Sequence, residues 1–166
     1  MVLWFARAFT TGLLIMLVGC SSPSGPPASA GRNQPAPTAP TDAEKNKQVV
    51  REFYELAFNQ QKPEEAVAKY VGSSYRQHNP TAGDGSQAFI DLVKGFAKTF
   101  PKLRFDFKRL VAEGDLVAVH SHLVAEPGSR GTAVMDIFRV ENGKIVEHWD
   151  VLQDVPEKAA NDNTMF

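Results

Sequence analysis

The chain lacks several features that narrow function at once. It has one cysteine, Cys20, in 166 residues, so it can form no internal disulfide. Neither sign of charge is in excess, with 18 Lys and Arg against 19 Asp and Glu, so there is no overall electrostatic case for nucleic acid as a partner. The longest apolar run, Leu13 to Gly19, is too short to span a bilayer as an ordinary helix. There is no phosphate-cradling glycine loop, no dinucleotide fingerprint, no Ser-His-Asp spacing and no internal repeat. Proline is unevenly spread: six of the eleven lie between Pro23 and Pro40, which leaves the rest of the chain free to fold.

What is present begins with an address. Residues 1–19 carry a single charge, Arg7, then an apolar core, and fit a secretory signal. The sequence Leu17-Val18-Gly19-Cys20 resembles the bacterial lipobox, in which the cysteine is acylated and becomes the new N-terminus. Ser21 after that cysteine is compatible with export to the outer membrane. The expected localisation is therefore the bacterial cell envelope, as a lipoprotein anchored through Cys20 and facing the periplasm. Residues 20–41 are rich in Ser, Pro and Gly and are expected to be a disordered tether.

The remainder, 42–166, changes period once. Thr41-Asp-Ala-Glu44 has capping-box spacing, and Val49, Val50, Phe53, Tyr54, Leu56 and Ala57 recur at helical intervals up to Gln60. Pro63-Glu-Glu opens a short second helix to about Val71, and Ser73 to Pro80 reads as a non-helical crossing. Asp84 or Ser86 can cap a third helix with the stripe Phe89, Leu92, Val93, Phe96 and Phe100, stopped by Pro101. Beyond Pro101 the period is two. Leu103, Phe105 and Phe107 alternate with charge; Leu116 to Glu126 forms a second strand; and Asn142-Gly143 joins two more as a hairpin. Helices first and antiparallel strands after predict an α+β domain, three helices on a curved four-stranded sheet enclosing a cavity.

That final hairpin holds the polar residues that most need explaining. Asp136, His148, Trp149 and Asp150 sit in strands that otherwise want burial. If Glu141-Asn142-Gly143 is a three-residue loop, Asp136 faces His148, and Asp136, Phe138, Val146, His148 and Asp150 share one sheet face. A strict two-residue turn instead sets Trp149 opposite Asp136. The first register is preferred because it gathers the polar groups. A carboxylate beside Trp149 would have its charged form disfavoured, which makes Asp150 the candidate general base. The plainer reading is a structural acid paired with His148 or with Arg76, Arg104 or Arg139.

His120 and His122 share a strand face with Leu116 and Ala118, while Val117, Val119, Ser121 and Leu123 share the other. With His78 and His148 they complete the histidines of the chain, and each alone reads as an ordinary hydrogen-bonded side chain. Gly114-x5-His120-x-His122-x3-Glu126 matches most of the first cupin metal motif. The closing glycine, Gly131, comes two residues early, the second cupin motif is absent and helices precede the strands, so no metal and no cofactor are expected.

Five segments together resemble the SnoaL-like branch of the nuclear-transport-factor-2-like (NTF2-like) superfamily. They are Tyr75-Arg-Gln-His-Asn-Pro80, Glu113-Gly-Asp-Leu-Val-Ala-Val-His120, Gly131-Thr-Ala-Val-Met-Asp-Ile-Phe-Arg139, Gly143-Lys-Ile-Val-Glu-His-Trp-Asp-Val151 and Asn161-Asp-Asn-Thr-Met-Phe166. The resemblance covers 42–166. It implies a cone-shaped α+β fold with a hydrophobic cavity, often dimeric through its sheet, so a homodimer is expected. The polyketide cyclases of this branch catalyse intramolecular aldol condensation without cofactor or metal. A strand aspartate is their acid/base, with an imidazole fourteen residues earlier on the neighbouring strand. Asp150 matches the aspartate, but Asp136 stands where the imidazole would be, a departure from the cyclase pattern.

Two functions therefore stand open. One is acid–base chemistry next to a carbonyl of a small apolar ligand, with Asp150 as base, Asp136 and His148 assisting, and His78, His120, His122, Trp149, Tyr75 and Phe138 forming the pocket. The other is a non-catalytic ligand-binding or dimeric accessory lipoprotein. A metal site on His120 and His122 is a third, weaker reading.

Overall fold

The computed structural model describes residues 40–166. The signal sequence, Cys20 and nearly all of the proposed tether lie outside the described residues. No helix among the described residues is long and apolar enough to cross a membrane.

Helix α1 spans Asp42–Tyr54 and is capped as the sequence suggests, with Thr41 Oγ1 accepting from the Glu44 amide and acids Asp42 and Glu44 in the first turn. A π-helical turn, Glu55–Asn59, continues it. The wider turn buries both Ala57 and Phe58, and it ends where Gln61 adopts positive φ. Asn59 then clamps the start of the sheet, donating to the Phe105 carbonyl and accepting from the Phe105 amide. Helix α2 is Pro63–Tyr70, with proline at its first turn. Helix α3 is Ser86–Thr99. Its N-cap is Gly85, without a side-chain cap; Asp84 instead accepts from the Gln77 amide.

The sheet has five strands rather than four. The segment read as a non-helical crossing holds β1, Val71–Gln77; the others are β2 Arg104–Glu113, β3 Leu116–Val124, β4 Thr132–Glu141 and β5 Lys144–Asp154. Their order is β1-β5-β4-β3-β2, with β1 parallel to β5 and the remaining pairs antiparallel. Strand β1 escapes a sequence reading because Gly72, Ser73 and Ser74 give it neither apolar alternation nor β-branched residues. Its pairing is set by the edge that β5 offers.

The helix-facing side of the sheet is the core. Val117 and Val119 of β3, Phe138 and Val140 of β4 and Ile145 of β5 are buried there against Val50, Phe53, Tyr54 and Phe89. Aromatic rings fill the space under the helices. Phe53 stacks on Phe89 at 4.9 Å, Tyr54 meets Phe138 edge-on at 5.2 Å, and Phe58 lies 4.7 Å from Phe105. The interior expected to be a cavity is thus largely occupied by side chains. None of the larger cavities of the described residues is lined by Asp136, His148 or Asp150.

Candidate functional site

The β4–β5 hairpin sets the site, by a register neither alternative anticipated. The turn is the two-residue Asn142-Gly143, both at positive φ, which places Glu141 opposite Lys144. A bulge at Val146 then shifts the pairing, so that Phe138 faces His148 and Asp136 faces Asp150. The bulge restores what the tight turn alone would lose. Asp136, Phe138, His148 and Asp150 share the helix-facing side, while Val146, expected with them, lies on the other side among Ser74, Arg76, Arg139 and Glu147.

Asp136 is 1% exposed and His148 5%, whereas Asp150 is half-buried. Asp136 Oδ1 accepts the Tyr54 hydroxyl at 2.8 Å and lies 3.1 Å from His148 Nε2. Its second oxygen, Oδ2, is buried with no hydrogen-bond partner. Burial therefore pushes the Asp136 carboxyl above the usual carboxylate range, with hydrogen bonds from His148 and Tyr54 pulling the other way. Burial likewise raises the Tyr54 and Tyr75 phenols, each next to Asp136 and Asp150, so both stay protonated. The imidazole of His148 is held on three sides. Phe138 stacks on it at 4.6 Å, Tyr75 at 6.5 Å, and Gln77 Oε1 lies 3.0 Å from its Nδ1. Asp150 takes both its oxygens to the Asn79 side-chain amide, at 2.8 and 2.9 Å.

The structure thus brings together three of the residues read from sequence, Asp136, His148 and Asp150, with Phe138 and Tyr75 packed behind them. Four others stand elsewhere. His120 and His122 lie on the opposite sheet face, where Phe166 stacks on both, at 5.7 and 4.2 Å. There His120 meets Arg109, and His122 bonds the Arg130 carbonyl. Val117, Val119 and Ser121 take the buried side of β3. Trp149 is also on the outer face, stacked on His78 at 4.7 Å. His78 Nε2 lies 2.9 Å from Glu147, which is further paired with Arg139. Trp149 therefore does not line the surroundings of Asp150; the carboxyl that burial perturbs is Asp136.

Three participants escaped the sequence reading: Tyr54, Gln77 and Asn79. Tyr54 looked like one more ring in a helical stripe, although a hydroxyl in a buried stripe needs a partner. Gln77 and Asn79 belong to the unrecognised strand β1 and the turn after it.

Asp136, His148 and Asp150 each offer a ligand atom within 4.8 Å of the others, the one group among the described residues that could hold a metal ion. Two carboxylates and one imidazole are an ordinary donor set. Within that group, Nε2 of His148 and Oδ1 of Asp136 already face each other at hydrogen-bond distance.

A helical layer on a strongly bent mixed sheet, with acids and an imidazole on its inner face, defines an α+β cone of the NTF2-like class. The family model of the SnoaL-like domain matches residues 50–148, more than half of the chain, and the protein belongs to that family. The match ends at His148, two residues short of Asp150. A candidate polyketide cyclase from Acidithiobacillus ferrooxidans has the same fold, at TM-score 0.56 and 21% identity over 68% of this chain and 90% of that one. A candidate polyketide cyclase from Bacillus cereus aligns at TM-score 0.58 and 20% identity, covering 66% of this chain and 75% of the other. A candidate ketosteroid isomerase from Kribbella flavida aligns at TM-score 0.58 and 18% identity, covering 76% and 90%. At these identities the likeness establishes the fold alone. No curated protein matches the sequence.

Proposed function

We propose that the protein performs acid–base chemistry at a carbon next to a carbonyl of a small apolar ligand, of the aldol-condensation or isomerase type. Asp150 meets the ligand, and Asp136 with His148 forms the buried pair behind it. The observation that carries this reading is the convergence of the three groups within 4.8 Å on one face of the sheet. Their environments differ in the way acid–base pairs require: Asp150 is half-buried beside the Asn79 side chain, while Asp136 and His148 are sealed in. The candidate cyclases and isomerase that share the fold point to the same class of chemistry.

The test needs no knowledge of the natural ligand. A panel of cyclic and aromatic ketones is incubated with the protein in D2O, and deuterium uptake next to the carbonyl is read by mass spectrometry. Wild type is expected to accelerate uptake for some members, and Asp150→Asn to lose at least about 100-fold of that rate. Absence of acceleration, or acceleration kept in Asp150→Asn, overturns the assignment.

A second reading, a non-catalytic ligand-binding or dimeric accessory protein, draws on the filled interior and the mutual hydrogen bonds of Asp136, Tyr54 and His148. Native mass spectrometry of protein purified from its own host separates the two. An unchanged co-purifying ligand, with no exchange activity, favours binding.

We also propose, from Leu17-Val18-Gly19-Cys20, that the chain is a membrane-anchored lipoprotein of the bacterial cell envelope. Cells fed radiolabelled palmitate should label the wild type and leave Cys20→Ala unlabelled. Equal labelling of both excludes Cys20 as the anchor.

A further inference from the structure

Backbone donors fix the orientation of the two side-chain amides in the network, and through them one nitrogen of His148. Asn79 Oδ1 accepts from the Thr81 amide at 2.8 Å and from its hydroxyl at 2.6 Å. That settles which end of the Asn79 side chain is the NH2 group, and it is this group that points at Asp150. Gln77 Oε1 accepts from the Asn79 backbone amide at 2.9 Å, which settles the Gln77 side chain in the same way. A backbone N–H can only donate, so the atom 3.0 Å from His148 Nδ1 is a carbonyl oxygen. It carries no hydrogen, and Nδ1 must supply one.

On the far side of the ring, Nε2 lies 3.1 Å from Asp136 Oδ1, which already accepts the Tyr54 hydroxyl. Here the proton can sit on either partner, as imidazolium and carboxylate or as imidazole and carboxylic acid. The titratable groups facing the ring are Tyr54 from α1, Tyr75 from β1, Asp136 from β4 and Asp150 from its own strand.

We propose that Gln77 is a positioning residue, holding the proton on Nδ1 of His148 so that Nε2 and Asp136 share a single proton between them. The proposal deepens the acid–base reading of the site and rests on it. Its consequence is a matter of charge. With Asp150 ionised, the three groups together carry one net negative charge wherever the shared proton sits. Losing that proton would turn the Nε2 lone pair against the Asp136 carboxylate. Without Gln77 the imidazole could change tautomer, present Nε2–H to Asp136 and release the other proton at little cost. Gln77 therefore keeps a transferable proton stored beside the group that meets the ligand.

The experiment is long-range 1H–15N spectroscopy of the histidine rings in the full-length protein, with His148 assigned by loss of its signals in His148→Asn. In wild type, His148 Nδ1 is expected to show a protonated nitrogen shift at every pH at which the protein is folded. In Gln77→Leu it should acquire the unprotonated shift as pH rises, and the ring should deprotonate at lower pH. Gln77→Glu, which keeps the shape of the side chain, should move the His148 titration to higher pH, and this arm stands if the leucine variant does not fold. An unprotonated Nδ1 in folded wild type, or a His148 titration indifferent to Gln77→Glu, overturns the proposal. None of these readings uses turnover. A protonated Nδ1 with no ketone exchange leaves the positioning role standing and sinks the acid–base function, and the converse result does the reverse.

Discussion

Asp136 carries a stability signature of its own. Burial holds its folded-state pKa above the unfolded value, so the folded protein keeps the proton to higher pH than the unfolded chain does. Its contribution is therefore full below the unfolded value of about 3.9 and is lost as pH rises through the folded value. Asp136→Asn removes that titration. The new amide donor, set where Oδ2 is now unpartnered, adds a cost of its own that does not itself titrate. Thermal melts taken upward from about pH 4 should show wild type losing stability relative to the variant as pH rises through the folded value. Parallel curves would show that Asp136 titrates as it does in the unfolded chain. Glu52, Asp106 and Glu147, whose pKa values are lowered by hydrogen bonds from Tyr70, Arg104 and His78 respectively, pull the other way in both proteins and cancel. At this scale the sequence was partly readable. Asp136, His148 and Asp150 announced themselves as polar groups in apolar strands. His120 and His122 misled because alternation yields two faces and does not name the buried one. The valine-rich face of β3, Val117 and Val119 with Ser121, was the better core all along. Gln77 stands in one of the segments that carry the resemblance, yet its role was not legible, because a glutamine becomes informative only once its partners are known.

The hairpin β4–β5 shows how much an element can depend on one residue. Its turn was legible, since Asn142-Gly143 supplies the two positive φ angles that a two-residue loop requires. The bulge was not, because nothing in Lys144-Ile-Val-Glu147 distinguishes a bulged strand from a regular one. Yet the bulge decides which face His148 and Asp150 occupy, since a slip of one residue reverses every side chain beyond it. Deleting Val146 removes only the extra residue and leaves Ile145 opposite Val140, Glu147 opposite Arg139 and His148 opposite Phe138, so both should stay in the site and Trp149 should stay outside. Val146→Ala, at a half-exposed position on the outer face, should be mild. Chemical denaturation is expected to place the deletion within about 2 kcal/mol of wild type and the alanine variant within about 1 kcal/mol. A deletion that unfolds the protein or turns Trp149 inward would show that the strand does not simply close over the missing residue. The helices were easier to read. Caps and prolines announced their starts, and only the π-helical turn at Glu55–Asn59 and the uncapped start of α3 departed from expectation. A π-helical turn is specified by packing: the Asn59 clamp on Phe105 lies 46 residues away in sequence.

At the scale of the molecule, the fold class was legible because the hydrophobic period changes once, after Pro101, and the order of elements follows from that change. What the pattern also leaves is a sheet face on which no helix of the described residues packs. One row crosses four strands in register, Val111 opposite Ala118, Ala118 opposite Ile137 and Ile137 opposite Trp149. Met135 pairs with Val151 in the next row, and Val111 and Val151 are 65% and 69% exposed. Apolar groups placed side by side on adjacent strands form a contiguous patch, which a soluble chain keeps only when something covers it. Phe166 stacks on His120 and His122, and Met165 lies beside Met135 and Val151, which leaves the row through Val111, Ala118, Ile137 and Trp149. We propose a second copy of the chain as the cover, joined by a two-fold axis through the patch, an arrangement in which one self-complementary surface serves both partners. A stable pairing needs roughly 1,200 Å² of total buried surface, within reach of a face four strands wide. Sedimentation equilibrium at micromolar concentration should then give a dimer for wild type. Ile137→Asp, which sets a charge in the middle of the row, should give a monomer with an unchanged far-ultraviolet circular dichroism spectrum. A monomeric wild type, or a dimer that tolerates Ile137→Asp, would show that the patch is covered by something other than its own copy.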